Sequence, residues 1–221
     1  MKPETLDKLY REHLMRALRP PVSAHVVAWQ TRLQLIWMET AVGAGIDPGT
    51  TERTWVWSDL HLEHAGIIRH GDRPHPDVHA MDAMLLRAWG EHVNADDTIV
   101  CLGDVTLAEP SARILSKLST MPGRKLLVAG NHDFLPAQEW PKTYGFDATA
   151  PTMVCNAGPT LLLTHEPLEA VPPGCVNVHG HIHGPGGEVS ADHVNVCVER
   201  TGYEPVRLSE LIRRIRSDRT R

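Results

Sequence analysis

Five short segments of this chain carry side chains of the types that bind divalent metal ions. Aspartate and asparagine offer oxygen ligands, whereas neutral imidazole suits manganese, iron, nickel or zinc, so their mixture indicates a catalytic transition-metal pair. A closed structural zinc site more often uses thiolates, and none of the four cysteines adjoins these segments in the sequence. In chain order, the segments are Asp59-Leu60-His61, Gly103-Asp104, Gly130-Asn131-His132-Asp133, Thr164-His165 and Gly180-His181-Ile182-His183.

Short apolar runs that alternate with helical patterns must position these segments. Helices are predicted from Val78 to His92 and over Ser111–Leu118, and the alternation with strands indicates an α/β fold. The candidate ligands then follow the carboxyl ends of strands, where open α/β sheets bind their ligands. Gly103, Gly130 and Gly180 are expected to let the chain turn tightly off those strands. The predicted strands are Thr54–Ser58, Thr98–Leu102, Lys125–Ala129, Thr160–Leu163, Val176–His179 and Val194–Val198.

The composition is that of a soluble globular protein with one main domain. A length of 221 residues allows a sizeable core, and 42% hydrophobic residues argue against a disordered chain. The net charge of -5 argues against stable binding to nucleic acid. The longest apolar stretch, residues 26–38, is too short and too polar to span a bilayer. The cysteines show no CxxC spacing, so they are expected to be reduced thiols of a cytoplasmic protein, with Cys101 and Cys197 buried on strands.

Residues 1–50 contain none of the candidate ligands and are predicted to form a helical hairpin. Leu6, Leu9 and Leu14 recur at helical spacing before two prolines, and Ser23 is expected to cap a second helix. Residues 1–50 are therefore assigned to an N-terminal helical extension, and residues 51–221 to the main domain. Packing against that domain is the favoured role, because an amphipathic stripe is most often part of a core. A homodimer interface and a lid over the active site are the alternatives.

The five segments together resemble those of the calcineurin-like metallophosphoesterases. The resemblance covers about residues 54–207 and is specific, because five separate segments match in the same order. Small bacterial and phage members are the most similar, since they share a segment like residues 64–68, an Arg73-Pro74 pair and an ending like residues 195–206. The resemblance implies a four-layer α-β-β-α sandwich, in which two mixed sheets face each other between helices. The alternation of strands and helices alone predicts only an α/β fold.

The resemblance also implies two sets of three ligands joined by a bridging carboxylate. The bridge would be Asp104, with one carboxylate oxygen on each ion, because a neutral amide would leave the cations repelling each other. The cofactors would be two divalent transition-metal ions, with manganese or iron favoured and nickel or zinc as alternatives. A hydroxide between the ions would be the nucleophile, since two cations about 3.5–4 Å apart lower the pKa of a shared water. The first set is Asp59, His61 and His183, and the second set is Asn131, His165 and His181.

Four further residues are candidates for roles beside the metal ions. His132 is expected to protonate the leaving group or to stabilise phosphoryl charge, and Asp133 to orient its imidazole and hold it protonated. His64 and Arg73 follow the first motif and are candidate substrate-binding residues, Arg73 through a bidentate contact with phosphate. His179 is predicted to be a structural residue on a strand.

The predicted substrate class follows from what the chain lacks. Protein phosphatases of the superfamily continue the Gly-Asp motif with Val-Asp-Arg-Gly, whereas here Val105-Thr106-Leu107-Ala108 follows Asp104. The related DNA-repair nucleases carry a further capping domain, for which 221 residues leave little room. The resemblance therefore predicts a hydrolase of small phosphoesters, with diesters such as cyclic nucleotides favoured over monoesters. A binding module without activity is disfavoured, because such members typically lose residues that this chain retains.

Overall fold

Two five-stranded sheets form the centre of the fold in the computed structural model. The structure describes residues 45–107, 110–133, 145–150, 152–184 and 190–219. The helical hairpin predicted for residues 1–50 therefore lies outside the described residues, except for its last six positions. Within the described ranges, no helix has the length and apolar character required to cross a membrane.

The six predicted strands are present, and the described residues form four more that were not predicted from the sequence. Five of the six agree with their predicted bounds to within one residue. The last is shorter, because the chain turns after Asn195, whose side-chain oxygen accepts a hydrogen bond from Cys197 N–H at 2.9 Å. The strands are β1 (Gly45–Ile46), β2 (Thr54–Trp57), β3 (Thr98–Cys101), β4 (Arg124–Val128), β5 (Ala148–Ala150), β6 (Met153–Asn156), β7 (Thr160–Leu163), β8 (Cys175–His179), β9 (His193–Asn195) and β10 (Val206–Arg207).

Both sheets are mixed. The first has the order β10-β2-β3-β4-β5, in which β10 is antiparallel to β2 and the other neighbours are parallel. The second has the order β1-β6-β7-β8-β9, in which β6 and β7 are antiparallel. Gly45 and Ile46 of β1 pair with Val154 and Cys155. The second sheet therefore includes two residues that precede residue 51.

Four α-helices in the described residues flank the sheets, and side-chain caps define where two of them begin. Asp77 accepts a hydrogen bond from Ala80 N–H at the start of α2, and Ser111 accepts one from Ile114 N–H at the start of α3. A 3-10 turn over Pro48–Arg53 leads into β2. The helices are α1 (Ala65–His70), α2 (Val78–His92), α3 (Ala112–Thr120) and α4 (Leu208–Asp218).

Apolar side chains pack on both faces of the first sheet, because the side chains of a strand alternate between its two faces. Trp55 and Trp57 pack with the helix residues Leu85 and Trp89 on the outer face of the first sheet. Val56, between the two tryptophans, instead joins a cluster that includes residues of the second sheet and of α4. This arrangement confirms the predicted α/β sandwich of two mixed sheets flanked by helices.

Candidate metal centre

The parallel strands of both sheets end at the same edge of the sandwich, and the candidate ligands follow them. Direct contacts join the sheets there, among them His165 Nδ1 at 2.8 Å from the carbonyl oxygen of Leu102 and the N–H of His181, which donates to Asp59 Oδ2 at 2.9 Å. Segments that are more than 60 residues apart in sequence therefore meet at one point. The candidate ligands that follow strands are Asp59, Asp104, Asn131, His165 and His181.

Four of the candidate ligands have a left-handed backbone conformation. The φ angles are 62° for Asp59, 51° for His61, 53° for Asp104 and 66° for His181. Residues with a side chain adopt this region at a cost of about 1–3 kcal/mol each, and such residues cluster at functional sites. Four of the seven non-glycine residues with a positive φ in the described part of the chain are therefore candidate ligands.

The three glycines of the motifs permit close packing rather than a shared turn geometry. Only Gly103 has a positive φ, of 90°. A Cβ atom on Gly130 would collide with the Asp104 carboxylate, and one on Gly180 would collide with Ser58 and Asp59. The predicted tight turn therefore applies to Gly103, whereas Gly130 and Gly180 provide room for the candidate ligands.

The first set of predicted ligands forms a compact group, named here the first cluster (Asp59, His61 and His183). His183 Nε2 lies 3.3 Å from both Asp59 Oδ1 and His61 Nε2, and His61 Nε2 lies 3.9 Å from Asp59 Oδ1. Asp59 Oδ1 is buried and has no hydrogen-bond partner in the described part of the chain. Two imidazole nitrogens this close need a proton or a cation between them, so the group is suited to bind a metal ion.

The second set also comes together and is named the second cluster (Asn131, His165 and His181). Asn131 Oδ1 lies 2.8 Å from His165 Nε2 and 2.9 Å from His181 Nδ1. The two imidazole nitrogens are 3.3 Å apart. One oxygen and two nitrogens that face a common point are a suitable donor set for a transition-metal ion.

Asp104 lies between the two clusters. Its Oδ2 atom is 3.5 Å from His61 Nε2 and 3.5 Å from His165 Nε2. Its Oδ1 atom accepts a hydrogen bond from the backbone N–H of His132 at 2.9 Å. This differs from the expected bridge with one oxygen on each ion, because a single oxygen faces both clusters while the other is held by the backbone.

Hydrogen bonds on the far side of the rings orient two of the histidines. His165 Nδ1 lies 2.8 Å from the Leu102 carbonyl oxygen, and His183 Nδ1 lies 2.9 Å from Glu199 Oε1. Both acceptors require a proton on Nδ1, which leaves the Nε2 lone pair for the cluster. Sequence reasoning gave Glu199 no role, although it belongs to the C-terminal segment on which the resemblance rests.

Burial and charge set the protonation of the first cluster. Burial lowers the pKa of His61 to about 2, so its imidazole is neutral. Burial opposes the charge of His183, but the close contact with the Asp59 carboxylate and the hydrogen bond with Glu199 raise its pKa to about 9. Burial also tends to raise the pKa of Asp59, yet that pKa lies well below its usual range because the contacts with His183 outweigh burial. In the metal-free chain, a proton on His183 therefore balances the charge of Asp59.

Metal binding to the first cluster, with manganese as the probe, is expected to strengthen as the pH rises from about 6.5 to 9. His183 is protonated below its pKa of about 9, and a metal ion must displace that proton. The apparent affinity should gain up to about tenfold per pH unit from this group. The metal-free protein should show the opposite trend, because the stability from protonated His183 is complete below 6.5 and is lost as the pH rises through about 9.

Calorimetric titration with manganese and thermal unfolding in chelator, both at several pH values in this window, measure the two trends. A manganese affinity that does not change with pH would contradict the assignment of His183.

Two further candidates lie beside the first cluster rather than within it. The exposed ring of His132 has its centroid 5.6 Å from that of His61. His64 is partly exposed, and its Nδ1 atom lies 3.3 Å from His61 Nδ1. Both imidazoles can therefore reach a molecule bound at this edge of the sandwich. His179, by contrast, is fully buried at the end of β8, as predicted for a structural residue.

Asp133 does not have the contacts expected of a residue that orients the His132 imidazole. Its Oδ2 atom accepts hydrogen bonds from the N–H groups of Gly130 at 2.7 Å and Asp104 at 3.0 Å. Its Oδ1 atom accepts one from Val105 N–H at 3.0 Å. Both oxygens thus bind backbone, and Asp133 ties the loop of the second cluster to the loop of the bridging residue.

Arg73 is also placed differently from its predicted position against the substrate. Its side chain is completely buried, and Nε donates to Glu199 Oε1 at 2.8 Å. The two terminal nitrogens donate to the carbonyl oxygens of Leu60 at 2.9 Å and Asp59 at 2.7 Å. Because the guanidinium is engaged with the protein, the prediction of a bidentate phosphate contact was wrong.

One cysteine lies beside the candidate ligands in the structure, although none adjoins their segments in the sequence. Cys197 Sγ lies 3.1 Å from Asp59 Oδ2, because the residue pairs with Ser58 next to the end of β2. Asp59, His183 and Cys197 have potential ligand atoms that all lie within 4.8 Å of one another, and Asp59, Asp104 and His165 form a second such group. These groups can bind a metal ion. All four cysteines are buried, and Cys101 lies on β3 as predicted, whereas Cys197 follows the end of β9 instead of lying on a strand.

None of the known protein-family models matches this chain. Over 82 residues it is 40% identical to the gene 66 protein of Mycobacterium phage L5, and over 81 residues it is 38% identical to the protein of the same name in phage D29. Each alignment covers 36% of this chain and only 39% of the phage protein. An uncharacterized protein of Methanocaldococcus jannaschii is 27% identical over 173 residues, which are 74% of this chain and 91% of that protein.

A solved structure shares the fold over most of the chain. It is a protein of unknown function from Aquifex aeolicus, with a TM-score of 0.58 and 26% sequence identity. The similarity covers 72% of this chain and 97% of the Aquifex chain. None of these relatives has a name that states an activity, so the function has to be argued from the site itself.

Proposed function

We propose that this chain is a dinuclear-metal-dependent phosphoesterase of the calcineurin-like type. The observation that carries the proposal is the position of Asp104 Oδ2, 3.5 Å from the Nε2 atoms of both His61 and His165. A carboxylate oxygen shared by two ligand clusters is suited to two neighbouring cations, because its negative charge offsets their repulsion. A single structural ion would have no use for the second cluster.

Seven side chains would hold the two ions. Their mixture of carboxylate, amide and imidazole groups favours manganese or iron, with nickel or zinc as alternatives. When bound, two such cations lower the pKa of a shared water and neutralise the oxygens of a phosphoryl group. The ligands would be Asp59, His61 and His183 for one ion, Asn131, His165 and His181 for the other, and Asp104 between them.

His132 would act on the leaving group. Its imidazole is exposed beside the first cluster, while its backbone N–H is held by Asp104 Oδ1 at 2.9 Å. This backbone hydrogen bond fixes the position of His132 relative to the bridging carboxylate. The exposed imidazole of His132 can deliver a proton to a departing alkoxide. His64 lies beside His61, with ring centroids 5.2 Å apart, and could contact the same substrate.

Small phosphodiesters are the favoured substrates, and phosphomonoesters are the alternative. A monoester dianion needs more positive charge around the phosphoryl group than a diester monoanion does. The phosphatase motif with its arginine is absent, and Arg73 is buried in contacts with Glu199 and the backbone. Neutralisation would therefore depend on the two ions and the imidazoles, which suits the less charged diester.

The test compares two chromogenic esters on the manganese-loaded protein. We expect a higher kcat/KM for bis-p-nitrophenyl phosphate than for p-nitrophenyl phosphate at neutral pH, with both rates removed by chelator. The reverse ranking with the same metal would favour the monoesterase. A protein that binds two manganese ions but hydrolyses neither ester, nor any member of a wider phosphoester panel, would favour a binding module of the same fold.

A further inference from the structure

Arg73 and Glu199 form a buried ion pair behind the first cluster. Arg73 Nε donates to Glu199 Oε1 at 2.8 Å, and the two side chains are 0% and 7% exposed. A buried pair loses to desolvation much of what its attraction contributes, so stability alone is weak grounds for its presence. Glu199 Oε2 is buried and has no hydrogen-bond partner among the described residues, so the contacts of the carboxylate converge on Oε1.

The guanidinium of Arg73 holds the turn that aims Asp59 and His61. Its two terminal nitrogens donate to the carbonyl oxygens of Asp59 and Leu60, at 2.7 and 2.9 Å. Asp59 and His61 have φ angles of 62° and 51°, so this turn lies in a costly left-handed conformation on both sides of Leu60. The planar guanidinium can donate to two carbonyl oxygens and a carboxylate at the same time, which a lysine ammonium cannot do in the same geometry.

Glu199 connects the same guanidinium to the third member of the first cluster. Its Oε1 atom receives the Arg73 Nε–H and, at 2.9 Å, the Nδ1–H of His183. The charged acceptor fixes the tautomer of His183, makes Nε2 more basic and points it at Asp59 Oδ1, 3.3 Å away. Arg73 therefore reaches Asp59 and His61 through the backbone, and His183 through Glu199.

The second cluster is supported differently. His165 Nδ1 donates to the neutral carbonyl of Leu102, and Asn131 contributes a neutral amide oxygen. We infer that Arg73 and Glu199 are positioning residues that set the metal affinity of the first cluster far more strongly than that of the second. The inference rests on the two-metal site of the proposed function, and it makes the two ions unequal in affinity.

The decisive variant is Glu199→Gln, which keeps the shape of the side chain and an oxygen for both donors but removes the charge. We expect manganese affinity at the first cluster to fall about 10–100-fold, the usual effect of losing an outer partner of a metal-bound histidine. Affinity at the second cluster should change much less, because its link to the first cluster is the His181 N–H bond to Asp59 and the shared Asp104. Calorimetry measures the two affinities, and electron paramagnetic resonance distinguishes an exchange-coupled manganese pair from an isolated ion at limiting metal.

Three further variants make the result specific. Arg73→Lys should also lower the manganese affinity of the first cluster, because it keeps the charge but loses the planar set of donors. Asn131→Ala should instead lower the manganese affinity of the second cluster. Glu91→Gln, in the exposed Arg87–Glu91 pair of α2, should change neither affinity. If Arg73→Lys fails to fold, Glu199→Gln still tests the inference, because glutamine retains the shape of the side chain and an oxygen acceptor.

The outcomes separate this inference from the proposed activity. Equal loss at both clusters, or no loss in Glu199→Gln, would overturn the inference, as would a wild-type protein that binds fewer than two ions. A wild-type protein that binds two ions and shows the selective loss, yet hydrolyses no phosphoester, would uphold the inference and overturn the proposed function.

Discussion

Asp104→Ala is expected to remove both metal ions and to abolish metal-dependent hydrolysis. Asp104 Oδ2 faces His61 and His165 at 3.5 Å each, so this change takes a ligand from both ions and leaves their charges without a bridge. The loss of manganese affinity should exceed the about 10–100-fold that removal of an outer partner causes. Metal analysis of protein purified without chelator, together with kcat/KM for a diester, measures both effects.

Two comparisons make the Asp104 result interpretable. Asp104→Asn keeps the shape but not the charge, and it should also fail to hold two ions. Asp96→Ala changes an exposed aspartate in the turn before β3 and should leave metal content and rate unchanged. Full metal content and a near-normal rate in Asp104→Ala would show that the bridging assignment is wrong.

His132→Ala is expected to keep both ions while turnover falls about 10²–10⁴-fold, the usual contribution of a general acid or base. The imidazole lies beside the first cluster, 5.6 Å from the His61 ring between centroids, and not among its ligand atoms. The loss should be smaller for p-nitrophenyl esters than for alkyl esters, because nitrophenolate departs without a proton. Rates for the two ester types, measured at saturating manganese, give the comparison.

The control for this change is His79→Ala, which removes an exposed histidine from α2. It should alter neither metal content nor rate. Equal losses on both ester types would assign His132 to stabilising phosphoryl charge instead of protonating the leaving group. Loss of a metal ion in His132→Ala would make it a ligand and exclude the proposed role.

Much of the fold could be predicted because its signals are local. An apolar run of four or five residues between turn-forming residues indicates a strand wherever that strand pairs, and five of six predicted strands agree with the structure to within one residue. The short strands β1, β5 and β10, of two or three residues, carry no such signal and depend on their neighbours. Residues 45 and 46 belong to the sheet because they pair with β6, and their position in the sequence does not reveal that pairing.

The sequence by itself determined which side chains could bind a metal, since donor chemistry belongs to the residue type. Position after a strand then placed those side chains at one edge of an α/β sheet. The tertiary structure decided which atoms meet, and it brought Asp104 Oδ2 to the same distance from two imidazoles.

The supporting contacts were decided by the tertiary structure alone. Arg73 and Glu199 are 126 residues apart, and Cys197 and Asp59 are 138 apart, yet each pair is in direct contact. An arginine after a metal motif has the same chemistry whether it faces a phosphate or two carbonyls, and Asp133 could equally serve an imidazole or three backbone amides. Folding chose between these partners, because a buried charge must find its hydrogen bonds inside the protein.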